Sequence, residues 1–90
     1  SIPKEFNINN IYPNPFNPTI NINFDILLSN HVEIKVIDIH GIESQTIFSG
    51  FLNSGNHVVK WNAESNTSGV YFITINVNNQ LLTQKVSLIK

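Results

Sequence analysis

The sequence predicts an all-β fold, an antiparallel β-sandwich of about seven short strands. Three observations support this prediction. Apolar and polar residues alternate with a period of two, turn-forming residues recur at intervals of roughly 8–12 residues, and no stretch shows a helical repeat. Asparagine, serine and threonine supply most polar strand positions and turns, and these residues disfavour helix interiors because their side chains compete for backbone hydrogen bonds.

The segment from Tyr12 to Phe24 is the predicted start of the core. Its prolines fix their own φ, remove backbone donors and push the preceding residues away from helical angles, so the run Tyr12 to Pro18 is expected to be extended and kinked. Strict alternation follows at once, with apolar residues at every second position from Ile20 to Ile26. This pattern predicts a half-buried strand.

The ninety residues are expected to form one small domain, with residues 1–10 as the end of a linker and residues 11–90 as the folded unit. Within the linker, Ile2, Phe6 and Ile8 are single apolar positions, and a short edge strand is predicted at about Phe6 to Ile8. Because the sequence begins with Ser1 and not with methionine, we expect it to be a piece of a longer polypeptide.

Two further strands, with the turns around them, are predicted in the first half of the chain. After a turn at Leu27 to Asn30, an amphipathic strand runs from His31 to Asp38. Asp38 to Gly41 has the polar first residue and the fourth-position glycine of a type I turn, so the chain is expected to fold back as a hairpin. The returning segment Ile42 to Ser49 alternates poorly, which indicates an edge strand, and a corner is predicted at Gly50 to Gly55.

The second half is predicted to contain three strands. The first places His57, Val59 and Trp61 on one face, and a polar loop from Asn62 to Gly69 follows it. The run Val70 to Val77 is apolar on both sides near its start, which favours a position near a sheet centre.

A hairpin turn at Asn78-Asn79 then leads into the last strand, predicted from Gln80 to Lys90. Immunoglobulin-like is the natural subclass of such a sandwich. Cysteine is absent, so no disulfide joins the sheets, and core packing must do so through Phe24, Ile34, Trp61, Ile73 and Val86.

Composition argues against several partners. The net charge is −1 and lysine is the only basic residue type besides three histidines, which argues against nucleic acid and anionic lipid. Hydrophobic residues make up 41% of the chain but are spread too evenly for a membrane span, so a globular domain without membrane insertion is expected. The lack of cysteine leaves the cellular compartment open.

Catalytic and metal-binding patterns are weak. His31, His40 and His57 stand apart, without the spacing of a metal site, and the carboxylates are scattered. A cation site built from Asp38, the asparagines of the proline-rich segment and loop carbonyls is conceivable, but no calcium-loop motif supports it. Asn66-Thr67-Ser68 matches a glycosylation acceptor, a pattern that arises often by chance in an asparagine-rich chain. We therefore predict no enzyme, no metal and no cofactor.

Four aromatic residues leave a second function open. Phe16, Trp61, Tyr71 and Phe72 are candidates for a flat carbohydrate-binding platform, as in a binding or adhesion module appended to a secreted enzyme. Trp61 and Tyr71 also lie in phase with aliphatic neighbours on their strands, and this favours core positions for both.

With these elements in order, the chain resembles the type A C-terminal sorting domain of the type IX secretion system, found at the ends of exported proteins of Bacteroidetes-like bacteria. That family is related to the immunoglobulin-like domain of flagellar hook-capping proteins. The similarity covers about residue 11 to residue 90. Its most specific part is the run Tyr12 to Pro18, and the other matches follow in family order: Ile20-Asn21-Ile22-Asn23-Phe24, Val36-Ile37-Asp38-Ile39-His40-Gly41, Gly55 leading to Trp61-Asn62, Ser68-Gly69-Val70-Tyr71-Phe72, and Lys85 with Leu88-Ile89-Lys90.

The resemblance implies a secretion signal at the C-terminus of a cargo protein, which it directs through the outer membrane to the cell surface or the medium by way of the periplasm. The implied partners are the outer-membrane translocon, a sortase-like cysteine protease that removes the domain and anchors the cargo to lipopolysaccharide, and the covalently linked N-terminal cargo domain. A monomer is expected.

The resemblance also implies the recognition residues, which are Gly69, Tyr71, Lys85, Leu88, Ile89 and Lys90. A last strand at a sheet edge would offer unpaired backbone groups for strand addition to a receptor. Purely structural roles stay open at this point, namely a turn for Gly69, the core for Tyr71 and a solvated strand face for Lys85.

Overall fold

The computed structural model describes residues 6–90, and these form a sandwich of two antiparallel sheets. The seven strands in this part of the chain are β1 (Phe6–Tyr12), β2 (Thr19–Ile26), β3 (Asn30–Asp38), β4 (Glu43–Leu52), β5 (Gly55–Asn62), β6 (Gly69–Val77) and β7 (Gln80–Leu88). One sheet has the order β1-β2-β5 and the other the order β4-β3-β6-β7. The predicted fold class is confirmed. Ile2 of the predicted linker lies outside the described residues.

Alternation decides which face of each strand is buried. In β2, Ile20, Ile22, Phe24 and Ile26 are buried while the residues between them are partly exposed. Strands β3 and β6 do the same from the opposite sheet, so the facing sides form one core. The five predicted core residues are all buried, since Phe24, Ile34, Trp61, Ile73 and Val86 are at most 1% exposed.

Two hairpin turns follow from their sequences. The Gly41 N–H donates to the Asp38 carbonyl at 3.0 Å, and Asp38 Oδ1 accepts from the N–H groups of His40 and Ile42, so the predicted turn is formed. Gly41 has a φ of +79°, which favours glycine. Asn78 and Asn79 have φ values of +50° and +64°, as the tight turn between β6 and β7 requires.

Three predicted boundaries are wrong. The corner predicted at Gly50 to Gly55 shrinks to the two residues between β4 and β5, because Gly50 and Phe51 continue the ladder opposite Val32 and His31. Strand β1 continues from the predicted Phe6–Ile8 to Tyr12, with a register shift between Ile8 and Asn10. Strand β7 ends at Leu88, two residues earlier than predicted.

The proline-rich segment lies against the outer edge of β7. The Phe16 N–H donates to the Ser87 carbonyl at 2.9 Å, and the Ile89 N–H donates to the Phe16 carbonyl at 3.0 Å, which makes a parallel bridge between Phe16 and Leu88. Asn14 extends the contact, because its Oδ1 accepts from the Ser87 N–H and its Nδ2 donates to the Lys85 carbonyl. This segment therefore closes one end of the sandwich and covers part of an otherwise open sheet edge.

An aromatic cluster joins that segment to both sheets. The ring centroids of Phe16 and Trp61 are 5.4 Å apart, and those of Trp61 and Tyr71 are 5.6 Å apart with an edge-to-face angle of 75°. Phe16, Trp61 and Tyr71 are all buried, and Phe72 is partly exposed. The core positions predicted for Trp61 and Tyr71 are confirmed, and the structure contains no platform built from these four rings.

Replacing Phe16 with alanine should destabilise the domain by about 3 kcal/mol, because a buried aromatic ring is lost and a cavity remains beside Trp61. The measurement is the free energy of unfolding from denaturant titration. Phe51→Ala is the matched control, since the Phe51 side chain is 67% exposed and should change stability by less than about 0.5 kcal/mol. Equal effects of the two substitutions would contradict the packing role of Phe16.

Candidate recognition surface

The six residues expected to carry recognition divide into two groups. Tyr71 and Leu88 are buried, with 7% and 1% of their surface exposed. Gly69, Lys85, Ile89 and Lys90 are exposed. Only the second group is substantially exposed in the folded state, and we call these four residues the tail surface.

Tyr71 has a complete structural role. Its hydroxyl donates to the Thr67 carbonyl at 2.7 Å, four residues earlier, while its ring packs edge-on against Trp61. A tyrosine near the start of a strand that bonds back to the preceding loop is the tyrosine corner of immunoglobulin-like sandwiches. The hydroxyl thus fixes the loop between β5 and β6, and the ring belongs to the core.

Gly69 begins β6 and pairs with Leu88 of β7. Its φ is +152°, a backbone conformation that residues with a Cβ rarely adopt, although a Cβ here would meet no other atom within 4 Å. Glycine is therefore required here for its backbone conformation. The space beside Gly69 is open to solvent.

The last two residues are tied to the loop before β6. The Lys90 N–H donates to Ser68 Oγ at 3.0 Å, and Lys90 Nζ donates to the Glu64 carbonyl. The Ile89 N–H is bound to Phe16, while the Ile89 side chain remains 56% exposed. The tail is therefore held as a defined extension of β7 with an apolar side chain and a cationic residue next to each other.

Lys85 lies three residues before Leu88 on the same strand. It is exposed and stands opposite Phe72 of β6, on the outer face of the four-stranded sheet. Its carbonyl accepts from Asn14 Nδ2 at 3.3 Å, so the backbone at Lys85 contacts the proline-rich segment while the side chain faces away from the core. The tail surface thus carries two lysines and one exposed isoleucine.

A cleft of about 420 Å³ opens beside the tail surface. Its walls are the hairpin turn at Asp38 to His40 and the loop from Ser65 to Tyr71.

Two oxygens considered for a cation site already accept hydrogen bonds from the backbone. Asp38 Oδ1 accepts from the N–H groups of His40 and Ile42 in its own turn, and Asn14 Oδ1 accepts from the Ser87 N–H on β7.

The histidines have separate surroundings. His57 packs against Phe24, with ring centroids 5.8 Å apart, and its Nε2 lies 2.6 Å from the Asn53 carbonyl. His31 Nε2 lies 3.5 Å from Ser49 Oγ. Across residues 6–90, no three His, Cys, Asp or Glu side chains form a group that would hold a metal ion. The same part of the chain has no helix long and apolar enough to span a membrane.

Sequence reasoning missed a polar network on the outer face of the three-stranded sheet. Asn23 Oδ1 accepts from Asn9 at 3.1 Å and from Asn56 at 2.6 Å, and Asn56 Nδ2 also lies 2.9 Å from Asp25 Oδ1. The alternating asparagines were visible in the sequence, but their partners on β1 and β5 become neighbours only through strand pairing. The hydrogen bond from Asn56, with a further one from Asn9, lowers the pKa of Asp25.

Comparison with known proteins gives one result. The model of the family described as secretion system C-terminal sorting domain matches residues 10–90. Neither the search of curated proteins nor the search of solved structures gives a match.

Tyr71→Phe should lower stability by about 1–2 kcal/mol, because the Thr67 carbonyl loses its donor while the ring packing is kept. Denaturant titration measures the change. Thr67→Ala is a useful companion, since it keeps the backbone carbonyl and should leave most of the bond intact. A Tyr71→Phe variant as stable as wild type would show that the tyrosine corner contributes little.

The stabilising contribution of the Asp25 carboxylate should be lost in acid. A carboxyl whose pKa is lowered on folding stabilises the folded state above its unfolded pKa of about 3.9, and this contribution is lost as pH falls through the lower folded pKa. The wild type should therefore lose more stability between pH ~7 and pH ~3 than Asp25→Asn does. Unfolding midpoints of both proteins at the two pH values provide the measurement, and parallel losses would contradict the assignment.

Proposed function

The chain belongs to the family of secretion system C-terminal sorting domains, and we propose that the type IX machinery reads it through the tail surface formed by Gly69, Lys85, Ile89 and Lys90. Membership makes the chain a C-terminal sorting signal of a secreted or cell-surface protein in Bacteroidetes-like bacteria, recognised as part of a cargo protein. The family is not catalytic.

One observation carries the proposal. The end of the chain is a fixed part of the sandwich surface, held by Phe16 on one side and by Ser68 and Glu64 on the other. An ordered tail loses less conformational entropy on binding than a loose one does, so a receptor gains affinity from this arrangement. The two lysines and the exposed Ile89 supply charge and apolar surface for selectivity.

The remaining steps of the proposal follow the family's export route. The domain crosses the inner membrane as part of its cargo and is read in the periplasm by the outer-membrane translocon. A sortase-like cysteine protease then removes it and anchors the cargo to surface lipopolysaccharide. A fold held together by core packing alone suits this route, because the described sandwich needs no disulfide before export.

The alternative of a carbohydrate-binding module is not favoured. Its basis was a row of exposed aromatic rings, and three of the four rings are buried in the core. No other observation on the described residues indicates a sugar site.

Export of a fusion protein tests the proposal. A signal peptide and a reporter placed ahead of residues 1–90 should reach the surface or medium of a host with this secretion system. Removing Ile89 and Lys90, or substituting Lys85→Ala, should lower export by about tenfold or more, as expected when a receptor loses one or two important contacts.

Lys60→Ala is the matched control, because Lys60 is exposed on β5 of the other sheet. Thermal unfolding of each variant separates lost recognition from lost folding. Retention of the intact fusion in the periplasm would count against a sorting role for this chain. Normal export of folded variants would move the recognition site away from the tail surface.

A further inference from the structure

The outer edge of β7 is only partly covered. Strand β7 ends the four-stranded sheet, and every residue from Gln80 to Leu88 stands opposite a residue of β6. Because the two-residue turn Asn78-Asn79 makes Val77 and Gln80 a hydrogen-bonded pair, the even-numbered residues of β7 exchange the backbone hydrogen bonds with β6. The odd-numbered residues therefore direct their N–H and C=O groups outwards. The bonds of Ser87 and Ile89 to the proline-rich segment fit this alternation.

Covered and open stretches meet at Lys85. From the Lys85 carbonyl to the Ile89 N–H, the edge is occupied by Asn14 and Phe16. Towards the β6–β7 turn, Leu81 and Thr83 are exposed, and within residues 6–90 no hydrogen bond reaches their outward backbone groups. The open stretch from Leu81 to Lys85 is roughly 13 Å long at the usual rise of a strand.

This open edge lacks two features that usually protect edge strands, a bulge and a proline, and its one protective charge, Lys85, lies at its boundary with the covered stretch. Register shifts interrupt the pairing of the edge strands β1 and β4, whereas β7 pairs with β6 without a shift from Gln80 to Leu88. The stretch contains no proline, and the Leu81 side chain is 59% exposed. Strand β5 is equally regular, but it belongs to the other sheet and is remote in sequence from the tail surface.

We propose that an extended segment of the type IX secretion machinery adds to this edge as a further strand, paired with Leu81 to Lys85. The domain's own Phe16 segment already pairs with the adjoining stretch, which shows that this edge accepts an added extended chain. The same segment blocks further pairing beyond Lys85, so it sets where the added strand must stop. Backbone pairing then supplies affinity while the neighbouring Lys85 side chain supplies selectivity.

The inference rests on the proposed function and refines it. Recognition by side chains alone would leave the backbone edge free, whereas strand addition requires the outward N–H of Thr83. The two modes therefore respond differently to a proline at position 83, which removes that donor and places a ring on the edge. Thr83 stands opposite Thr74, but by the alternation described above its N–H points away from β6, so the substitution keeps the hydrogen bonds between β6 and β7.

The test uses export of the same reporter fusion. Thr83→Pro should lower export by about tenfold, the effect of losing one or two backbone hydrogen bonds to the partner. Thr83→Ala changes the side chain but keeps the N–H, so its export should equal that of wild type. Val58→Pro is the matched proline control on the edge of the other sheet.

The direction of the backbone groups along β5 makes Val58→Pro a suitable control. The Ala63 N–H donates to the Pro18 carbonyl at 2.9 Å, so the even-numbered residues of β5 direct their backbone groups outwards. Val58 is 49% exposed, and Val58→Pro should be exported normally. Leu81→Pro gives a second test on β7, in case Thr83→Pro lowers the thermal unfolding temperature.

The outcomes distinguish a failure of the sorting role from a failure of strand addition. If the wild-type fusion is not exported, the sorting role itself fails. If the wild type is exported and folded Thr83→Pro and Leu81→Pro variants are exported equally well, strand addition is wrong. If Thr83→Ala lowers export as much as Thr83→Pro does, recognition depends on the Thr83 side chain and strand addition is wrong. If Val58→Pro lowers export equally, the effect of proline is general and strand addition is again not supported.

A second copy of this chain is the other possible occupant of the edge. Sedimentation of the purified domain at increasing concentration distinguishes it, because edge-to-edge pairing of two β7 strands would give a dimer that Thr83→Pro abolishes. Finding such a dimer would overturn the assignment of this edge to the secretion machinery, and a monomer at all concentrations supports it.

Discussion

Burial of Phe16 is the interaction on which the rest of the structure depends. Its ring packs against Trp61 of one sheet, its backbone bridges Leu88 of the other, and Trp61 in turn contacts Tyr71. A small sandwich without disulfides has few ways to join its sheets, and this cluster joins them at one end through contacts distant in sequence. The most recognisable motif of the chain is thus a structural clamp for its C-terminal end.

The clamp makes the conformation of the C-terminal residues depend on the whole domain. Leu88 is buried and Ile89 is bound through its backbone, so the terminal residues adopt one conformation only when the core is formed. The tail surface is consequently a product of folding, and substitutions at the buried residues Phe16 and Tyr71, which lie beneath it, affect it by way of the core. The conformation of the terminal residues and the stability of the domain therefore depend on the same packing.

The sequence predicted strands and faces well because alternation is a local signal. The buried faces of β2, β3 and β6 and the positive φ of Asn78 and Asn79 all follow from neighbouring residues. Prediction failed where pairing with a distant strand overrides a local cue. Gly50 looked like a corner, yet its place opposite Val32 keeps it within β4.

For the candidate site, the sequence supplied the residues but not their exposure. The alternation already favoured the core for Tyr71, and the resemblance to the sorting-domain family named the tail. By itself the sequence determined the strand periodicity, the turn chemistry and the family. Only the tertiary structure decided that Leu88 is buried, that Asn14 and Phe16 cover the edge of β7 as far as Lys85, and that Leu81 and Thr83 remain open. The reason is physical: a side chain's burial and a backbone group's partner depend on which distant segment lies beside it, and no local pattern encodes that neighbour.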